Sequence, residues 1–464
     1  MSAFARAAEP AVLLYFALFN AAQLAFFFFA FRAARRASRE RVYPDLGALF
    51  SNPLVPPVSV LVRAGPAATG VVEAATALLQ MNYPRFEVVV VAEGEAALAE
   101  LKAALKLAPV PPEEAVPLKT GRVRGVLGSR TYDTLTVLDK EPGGRGDALN
   151  AALNVAQHPY FLAVDAEDRL EPDALLRLVR EMLEAPARPV AVGGAVRAAN
   201  GGRFEKGKLA ALGLGTNPWP VFQTVEAFRD VVAPAYALSG ANGVMSLSGA
   251  CALYERDLVV AMGGFPPASD GEDWEFLLRL HRRLRDDGER EYAVRFVPEP
   301  VCWSRLPDTL AALARRKRRR QSGLLGSLGR SRGLFFETRY GALGSFTAPF
   351  LFVFEGWGVL FEALGYVLFA ASLLRGGWGF AASFFGLVVA GGAALSVAGV
   401  ILGEACYPRY PSLGQLAGLA VAALAEGFCY RPLSTALRLA GTADHLRGGD
   451  PLPGAGADAP SGLH

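Results

Sequence analysis

Apolar residues in this chain fall into two patterns, long uninterrupted stretches near its ends and short runs between them, and the two predict different structures. Residues 11–31 form 21 residues without a charge, enough for a helix across a bilayer, which needs ~20. Arg32, Arg35, Arg36, Arg39 and Arg41 follow at once. A cleaved signal carries its positive charge before a shorter apolar core, so this stretch reads as a retained anchor whose C-terminal flank lies in the cytoplasm. Near the other end, residues 377–403 and 412–430 read as membrane spans. Residues 346–374 are apolar too, but they carry Glu355 and Glu362, which are costly in a bilayer unless they face protein or water. An interfacial, re-entrant or transmembrane helix fits that segment. Two spans after the central region keep Arg431, Arg438 and Arg447 on the cytoplasmic side, as basic flanks prefer, and are favoured over three.

The short runs alternate with helical spacing. After a stiff linker containing Pro53, Pro56 and Pro57, residues 58–62, 86–91, 135–138, 160–164, 190–196 and 246–254 predict strands. Residues 69–80, 98–107, 145–156 and 220–231 predict helices, the last running over the sheet, and residues 109–117 a Pro-rich loop. Residues 269–283 read as an acidic loop entering an amphipathic helix, with Leu277, Leu278 and Leu280 inward and Arg279, Arg282 and Arg283 solvated. This βαβ alternation predicts a mostly parallel α/β sheet with right-handed crossovers. The run YFLAV ends in Asp165, Glu167 and Asp168, where strand gives way to helix. Ligands of open α/β sheets collect at that edge, and clustered carboxylates there suit a hard divalent cation that holds substrate phosphates.

Charge changes the picture little in sum and more in distribution. A net charge of +3 conceals two basic runs, at residues 32–41 and 315–332. Apolar spans on both sides of the second run argue against nucleic acid as its partner, and anionic membrane lipid is the plainer reading. The four cysteines, Cys251, Cys302, Cys406 and Cys429, lie far apart without a CxxC pair, which argues against a zinc knuckle or a disulfide framework. His158 and His281 have no partners at metal spacing and read as surface residues.

An ordered series of segments then carries a resemblance. PPVSVLV, MNYPRFEVVVV, RGDALNAAL, VDAED, SLSGACALYERDLVVAMGGF, GEDWEFLLRL and a basic run ending at Gly323 follow one another over about 260 residues. Together they resemble the membrane-bound family 2 glycosyltransferases, the group of cellulose, chitin and hyaluronan synthases, and the tail resembles a poorly characterised bacterial branch. The resemblance implies a GT-A, Rossmann-like, mostly parallel sheet in the cytoplasm, flanked by one N-terminal and two to three C-terminal transmembrane helices. The expected divisions are an anchor at 1–34, a basic and Pro-rich linker at 35–56, a transferase domain at 57–307 and a basic interfacial region at 308–345. The variable segment at 346–374, spans within 375–435 and a tail at 436–464, disordered at its end, complete the chain.

The resemblance also implies roles. Asp273 is the expected general base. Asp165 and Glu167 would hold Mg²⁺ or Mn²⁺, with Asp165 also on the ribose side, and Asp168 is more suited to capping the next helix. Arg145 would meet the phosphates where the family usually has Lys. Glu93 would read the base and ribose, Ser248, Gly249 and Cys251 would line the sugar pocket, and Arg319 and Arg320 would help close the diphosphate site. The implied enzyme is an inverting, metal-dependent transferase that moves a sugar from a nucleotide-sugar, expected to be a UDP-sugar, to a lipid-linked or glycan acceptor. Its setting would be the cytoplasmic face of the inner membrane, in surface polysaccharide or glycolipid synthesis, among membrane lipids and a membrane or export partner protein. Several positions depart from the pattern. Arg63, Ala64, Gly65 and Pro66 replace a loop that ends in Asn-Glu, Ala92 and Glu93 replace an Asp pair, Glu167 replaces Asp, and Arg320 stands where processive synthases carry a tryptophan. The last departure predicts short additions rather than a long polymer. The others raise an alternative, a weak or inactive transferase that serves as a scaffold or regulatory subunit of a membrane glycan-synthesis complex.

Overall fold

Valine-rich runs make strands here because β-branched side chains pack well on a pleated surface that is covered on both faces. The computed structural model describes residues 3–40, 42–43, 45–111, 118–205, 208–247, 251–266, 272–406 and 412–448. The chain divides into two units. One, built from 41–211 and 246–305, holds the sheet; the other, built from 1–40, 212–245 and 306–451, is helical.

The sheet unit contains β1 (Val58–Ala64), β2 (Phe86–Ala92), β3 (Leu107–Pro109), β4 (Val123–Ser129), β5 (Leu135–Lys140) and β6 (Tyr160–Asp165). It continues with β7 (Arg169–Leu170), β8 (Arg188–Ala198), β9 (Arg203–Glu205), β10 (Lys208–Ala211), β11 (Ala252–Glu255) and β12 (Tyr292–Ser304). Ten of these form one sheet in the order β3-β4-β5-β2-β1-β6-β11-β8-β12-β7, and β9 pairs with β10 separately. The centre, β5-β2-β1-β6, is parallel, as the βαβ pattern predicts, and β8 and β12 form a further parallel pair. Antiparallel β11 joins these two parallel sets. Val58, Val60, Val62 and Ala64 turn one face of β1 into the core, where they meet apolar residues of the helices Val71–Leu79, Glu95–Leu105 and Ala174–Leu183.

Six strands, β3, β4, β7, β9, β10 and β12, have no counterpart among the expected elements, and β4 and β12 are the longest of them. β4 reads VRGVLGS, with glycines breaking its apolar run, and β12 carries Pro298 and Pro300. The ladder of β12 shifts register around Pro300, the irregularity that a residue without an N–H imposes on a sheet. The helix expected at 220–231 is present as Pro218–Ala227, followed by a π-helical turn, but it belongs to the helical unit. His281 is fully buried, its Nδ1 2.7 Å from the Tyr292 hydroxyl, so its reading as a surface residue is corrected.

Among the described residues of the helical unit, three helices are long and apolar enough to cross a membrane, Ala7–Arg39, Leu343–Arg375 and Trp378–Cys406, or four if one bent pair counts as a single span. The segment with two glutamates is thus one of them. Its carboxylates face protein: Glu362 accepts from Thr435 Oγ1 at 2.8 Å and Arg438 Nη1 at 3.2 Å, and Arg438 Nη2 reaches Glu355 Oε2 at 3.4 Å. The expected span at 412–430 is different. Leu413–Ala425 has only 13 residues and meets Tyr430–Leu446 at a bend of 61°. At 1.5 Å per residue it reaches about 20 Å, short of a ~30 Å hydrocarbon layer. Tyr430–Leu446 also runs through residues expected to open the tail, while 449–464 lie outside the described residues.

Candidate active site

The site forms where β1, β2 and β6 end together. Register places Arg63 of β1 opposite Asp165 of β6 and Val91 of β2, and Arg63 O accepts from Ala166 N at 2.9 Å. Asp165 is the last residue of its strand, preceded by four buried apolar residues, Phe161, Leu162, Ala163 and Val164.

Arg145 reaches this edge from the first position of the helix Arg145–Leu153. The turn before it needs glycine twice. Gly144 has φ 90°, and a Cβ on Gly143 would lie 1.9 Å from Asp147 Oδ2. Arg145 then bridges two carboxylates: Nε lies 3.4 Å from Asp165 Oδ2, and Nη1 donates to Asp273 Oδ1 at 3.3 Å. Asp273 is the second residue of the helix Glu272–Asp286. Both helices are pinned to one turn. Asn150 accepts from Phe265 N and donates to Phe265 O, each at 2.8 Å, and Arg279 donates to Met262 O and Gly264 O, each at 2.6 Å. Arg279 is therefore a bracing residue rather than a solvated one, whereas Leu277, Leu278 and Leu280 are buried as expected.

The three carboxylates after β6 have separate environments. Asp165 Oδ1 is buried and accepts no hydrogen bond from the described residues, an orphan that a cation would satisfy. Glu167 is exposed. Asp168 is buried, and burial first, then the Asp165 charge, push its carboxyl up to about 7 against a hydrogen bond with Ser304. It does not cap the next helix; Asp173 occupies the N-cap of Ala174–Leu183. No group of three His, Cys, Asp or Glu side chains that could hold a metal ion exists among the described residues.

Glu93 is buried beside this edge. Its Oε2 accepts from Arg63 Nε at 2.9 Å and its Oε1 from Gly143 N at 3.0 Å. The part of this pair that reaches solvent is the Arg63 side chain, 27% exposed against 0% for the Glu93 side chain. Arg63 is a site residue that the sequence reading passed over, although a charged residue at the last but one position of an apolar strand was a usable signal. Lys140 and Asp147 were missed as well. They form a fully buried ion pair under the Gly143–Gly144 turn, and Asp147 Oδ1 also accepts from Gly121 N at 2.7 Å. Cys251 is 0% exposed within the hydrophobic core, so its expected place in the sugar pocket is corrected, and Ser248 and Gly249 lie outside the described residues. Arg319 and Arg320 are exposed on the helix Leu310–Arg330 of the helical unit. Two neighbours in that basic run are turned to protein: Lys317 pairs with Glu226, and Arg318 with Asp444 at 2.8 Å.

The chain is similar to known proteins. The family described as glycosyltransferase like family 2 matches the chain over residues 56–323. The poly-beta-1,6-N-acetyl-D-glucosamine synthase of Staphylococcus aureus (strain COL) is 26% identical over 184 residues, covering 40% of this chain and 39% of that protein. The enzyme of the same description from Staphylococcus epidermidis is 22% identical over 180 residues, covering 39% of this chain and 38% of its own length. The match thus spans about two fifths of these curated relatives. Among solved structures, a mannosyltransferase from Pyrobaculum calidifontis, in complex with GDP-Man and Mn²⁺, superposes with a TM-score of 0.51 at 18% identity. That superposition covers 95% of this chain and all of the other, a likeness of fold.

Proposed function

The chain belongs to glycosyltransferase like family 2, and from that premise we propose that it moves a sugar from a nucleotide-sugar to a lipid-linked or glycan acceptor, with inversion at the anomeric carbon. The donor is expected to be a UDP-sugar. The setting is the inner membrane, with the sheet unit in the cytoplasm, and the product a surface polysaccharide or glycolipid. The observation that carries this reading is the bridge from Arg145 to both Asp165 and Asp273, which gathers a phosphate-binding cation, a metal-binding carboxylate and a base at one sheet edge.

In this mechanism the donor diphosphate takes over Arg145, whose planar guanidinium suits paired phosphate oxygens. Asp273 is released from its 3.3 Å contact and accepts the proton of an acceptor hydroxyl. The oxygen attacks the anomeric carbon from the side opposite the nucleotide, and the nucleoside diphosphate leaves. One carboxylate suffices, because no covalent sugar intermediate forms. The orphaned Asp165 Oδ1 and the exposed Glu167 would hold a divalent cation, Mg²⁺ or Mn²⁺. When bound, that cation supplies Lewis-acid stabilisation of the leaving diphosphate. The Mn²⁺ in the Pyrobaculum mannosyltransferase supports this choice. Ser248 and Gly249 line the sugar, and the product is a short addition.

The test is nucleotide release by the full chain in detergent, with a panel of nucleotide-sugars and Mn²⁺ or Mg²⁺. Asp273→Asn and Asp165→Asn are each expected to lower release by roughly 10²–10⁴-fold. Release that neither substitution alters overturns the assignment. The burial of Glu93 against Arg63 favours a second reading, a donor-binding subunit without turnover, and its signature is nucleotide binding by the wild type with no release from any donor.

A further inference from the structure

We infer that Asp147 is a positioning residue for sugar transfer: paired with Lys140, it seats the Gly143–Gly144 turn and so fixes where Arg145 meets the donor diphosphate. The inference rests on the role of Arg145 given above and adds what places that arginine.

The turn cannot hold itself. Gly144 has φ 90° and ψ 172°, and glycine, twice in succession here, has the freest backbone of any residue. The shape of the turn must come from what it touches. Asp147, in the first turn of the helix Arg145–Leu153, lies against it: a Cβ on Gly143 would sit 1.9 Å from Asp147 Oδ2 and 2.9 Å from Lys140 Nζ. The same pair holds the chain at both ends of the turn. Lys140 Nζ donates to Glu141 O at 2.8 Å before it, and Asp147 follows it on the helix. Around the rest of the turn, Gly143 N donates to Glu93 Oε1 at 3.0 Å, and Gly146 packs on Pro266 O, which a Cβ there would approach to 2.1 Å. The start of the helix therefore has one seat, and from it Arg145 Nε reaches to 3.4 Å from Asp165 Oδ2.

Neither member of the pair is placed to touch a ligand, because the Lys140 side chain is 0% exposed and that of Asp147 is 5% exposed. Nor does a buried ion pair stabilise a fold strongly, since desolvation offsets most of the attraction and apolar residues of like volume often do as well. What such a pair supplies, when a third partner directs it, is a fixed geometry. Asp147 Oδ1 accepts from Gly121 N at 2.7 Å while Oδ2 takes the Lys140 ammonium, so both oxygens are committed and the carboxylate cannot rotate. Misplacing a substrate-holding group by about 1 Å costs about 10²-fold in rate, so a seat beneath Arg145 has a kinetic consequence that stability alone does not.

The experiment is a coupling cycle on nucleotide release by the detergent-purified full chain, with Mn²⁺ and the best donor of the panel above. Lys140→Met with Asp147→Leu replaces the charged seat by an apolar one and leaves no charge buried alone, and a melting midpoint above that of Asp147→Ala shows that it folds. It should lower kcat/KM by about 30-fold or more, the scale of a misplaced binding group. In an Arg145→Ala background the same two substitutions should change kcat/KM by about threefold or less, because Asp147 acts through Arg145. Gly143→Ala leaves the ion pair in place and drives a methyl group against it, so it should repeat both results, which keeps the test decisive if the pair variant does not fold. A loss of equal size in both backgrounds assigns the pair to stability alone and overturns the inference, as does wild-type kcat/KM in either variant. If Arg145→Ala itself releases nucleotide at the wild-type rate, the phosphate role of Arg145 falls and this inference with it. A wild type that releases nucleotide from no donor overturns the transfer reading as a whole, and the positioning role falls with it.

Discussion

Replacing Asp147 with alanine should destabilise the sheet unit far more than a typical substitution. Lys140, the last residue of β5, is 0% exposed in its side chain, and its ammonium has two partners, the Asp147 carboxylate and the Glu141 carbonyl at 2.8 Å. Alanine removes the only charged partner and leaves an uncompensated buried cation, a change that costs about 3–5 kcal/mol. For a unit of this size each kcal/mol lowers the unfolding midpoint by roughly 2–4 °C, so the expected loss is about 6–20 °C. The assay is a thermal scan of the full chain in detergent, followed through the fluorescence of the buried Trp303. A companion variant separates charge from packing. Lys140→Met with Asp147→Leu removes both ions and should recover most of the loss, short by about 1–3 kcal/mol because Gly121 N loses its acceptor. A midpoint within 2–3 °C of wild type for Asp147→Ala, roughly the effect of 1 kcal/mol, refutes the reasoning, as does a double variant as unstable as the single one.

Other expectations concern the site and the helices. Arg145→Ala should weaken nucleotide-sugar binding by about tenfold or more, read by calorimetry, because a charge-assisted pair with the diphosphate is lost. Chelation should abolish nucleotide release and added Mn²⁺ or Mg²⁺ restore it, with Glu167→Gln raising the metal concentration required; release indifferent to chelator would refute metal use. Arg438→Met leaves Glu355 and Glu362 without the cation that reaches both, and should cost about 3–5 kcal/mol of stability, seen as earlier loss of the monodisperse peak on heating in detergent. Adding Glu362→Gln to that variant should recover part of the loss.

Much of the architecture was legible in sequence because hydrophobic pattern is a local property. The run FEVVVV can satisfy its side chains only as a strand covered on both faces, and the 21 uncharged residues at 11–31 only as a long apolar helix. The same locality explains the failures. β12 was missed because Pro298 and Pro300 argue against a strand, and only pairing with β8, with a register shift at Pro300, makes one possible. The segment at 412–430 reads as a span from its composition, and only the tertiary structure shows that its helix and the next, which pass the test for a span together, are bent by 61°.

At the candidate site the division is sharper. The sequence by itself determined that Asp165 ends a buried strand and that Arg145 begins a helix, since both follow from the order of apolar and polar residues. Only the tertiary structure decided what those groups do to one another. Arg145 and Asp273 are 128 residues apart and meet because Asn150 and Arg279 fasten their two helices to the same turn. Asp168 sits three residues from Asp165 yet is buried beside Ser304, which removes it from the ligand set. Glu93 and Arg63 exchange the roles that their types suggested, the carboxylate going inside and the cation facing out. Burial and partner choice depend on which strands and helices converge at one edge, and that convergence comes from long-range packing, for which a linear pattern of residues has no local signal.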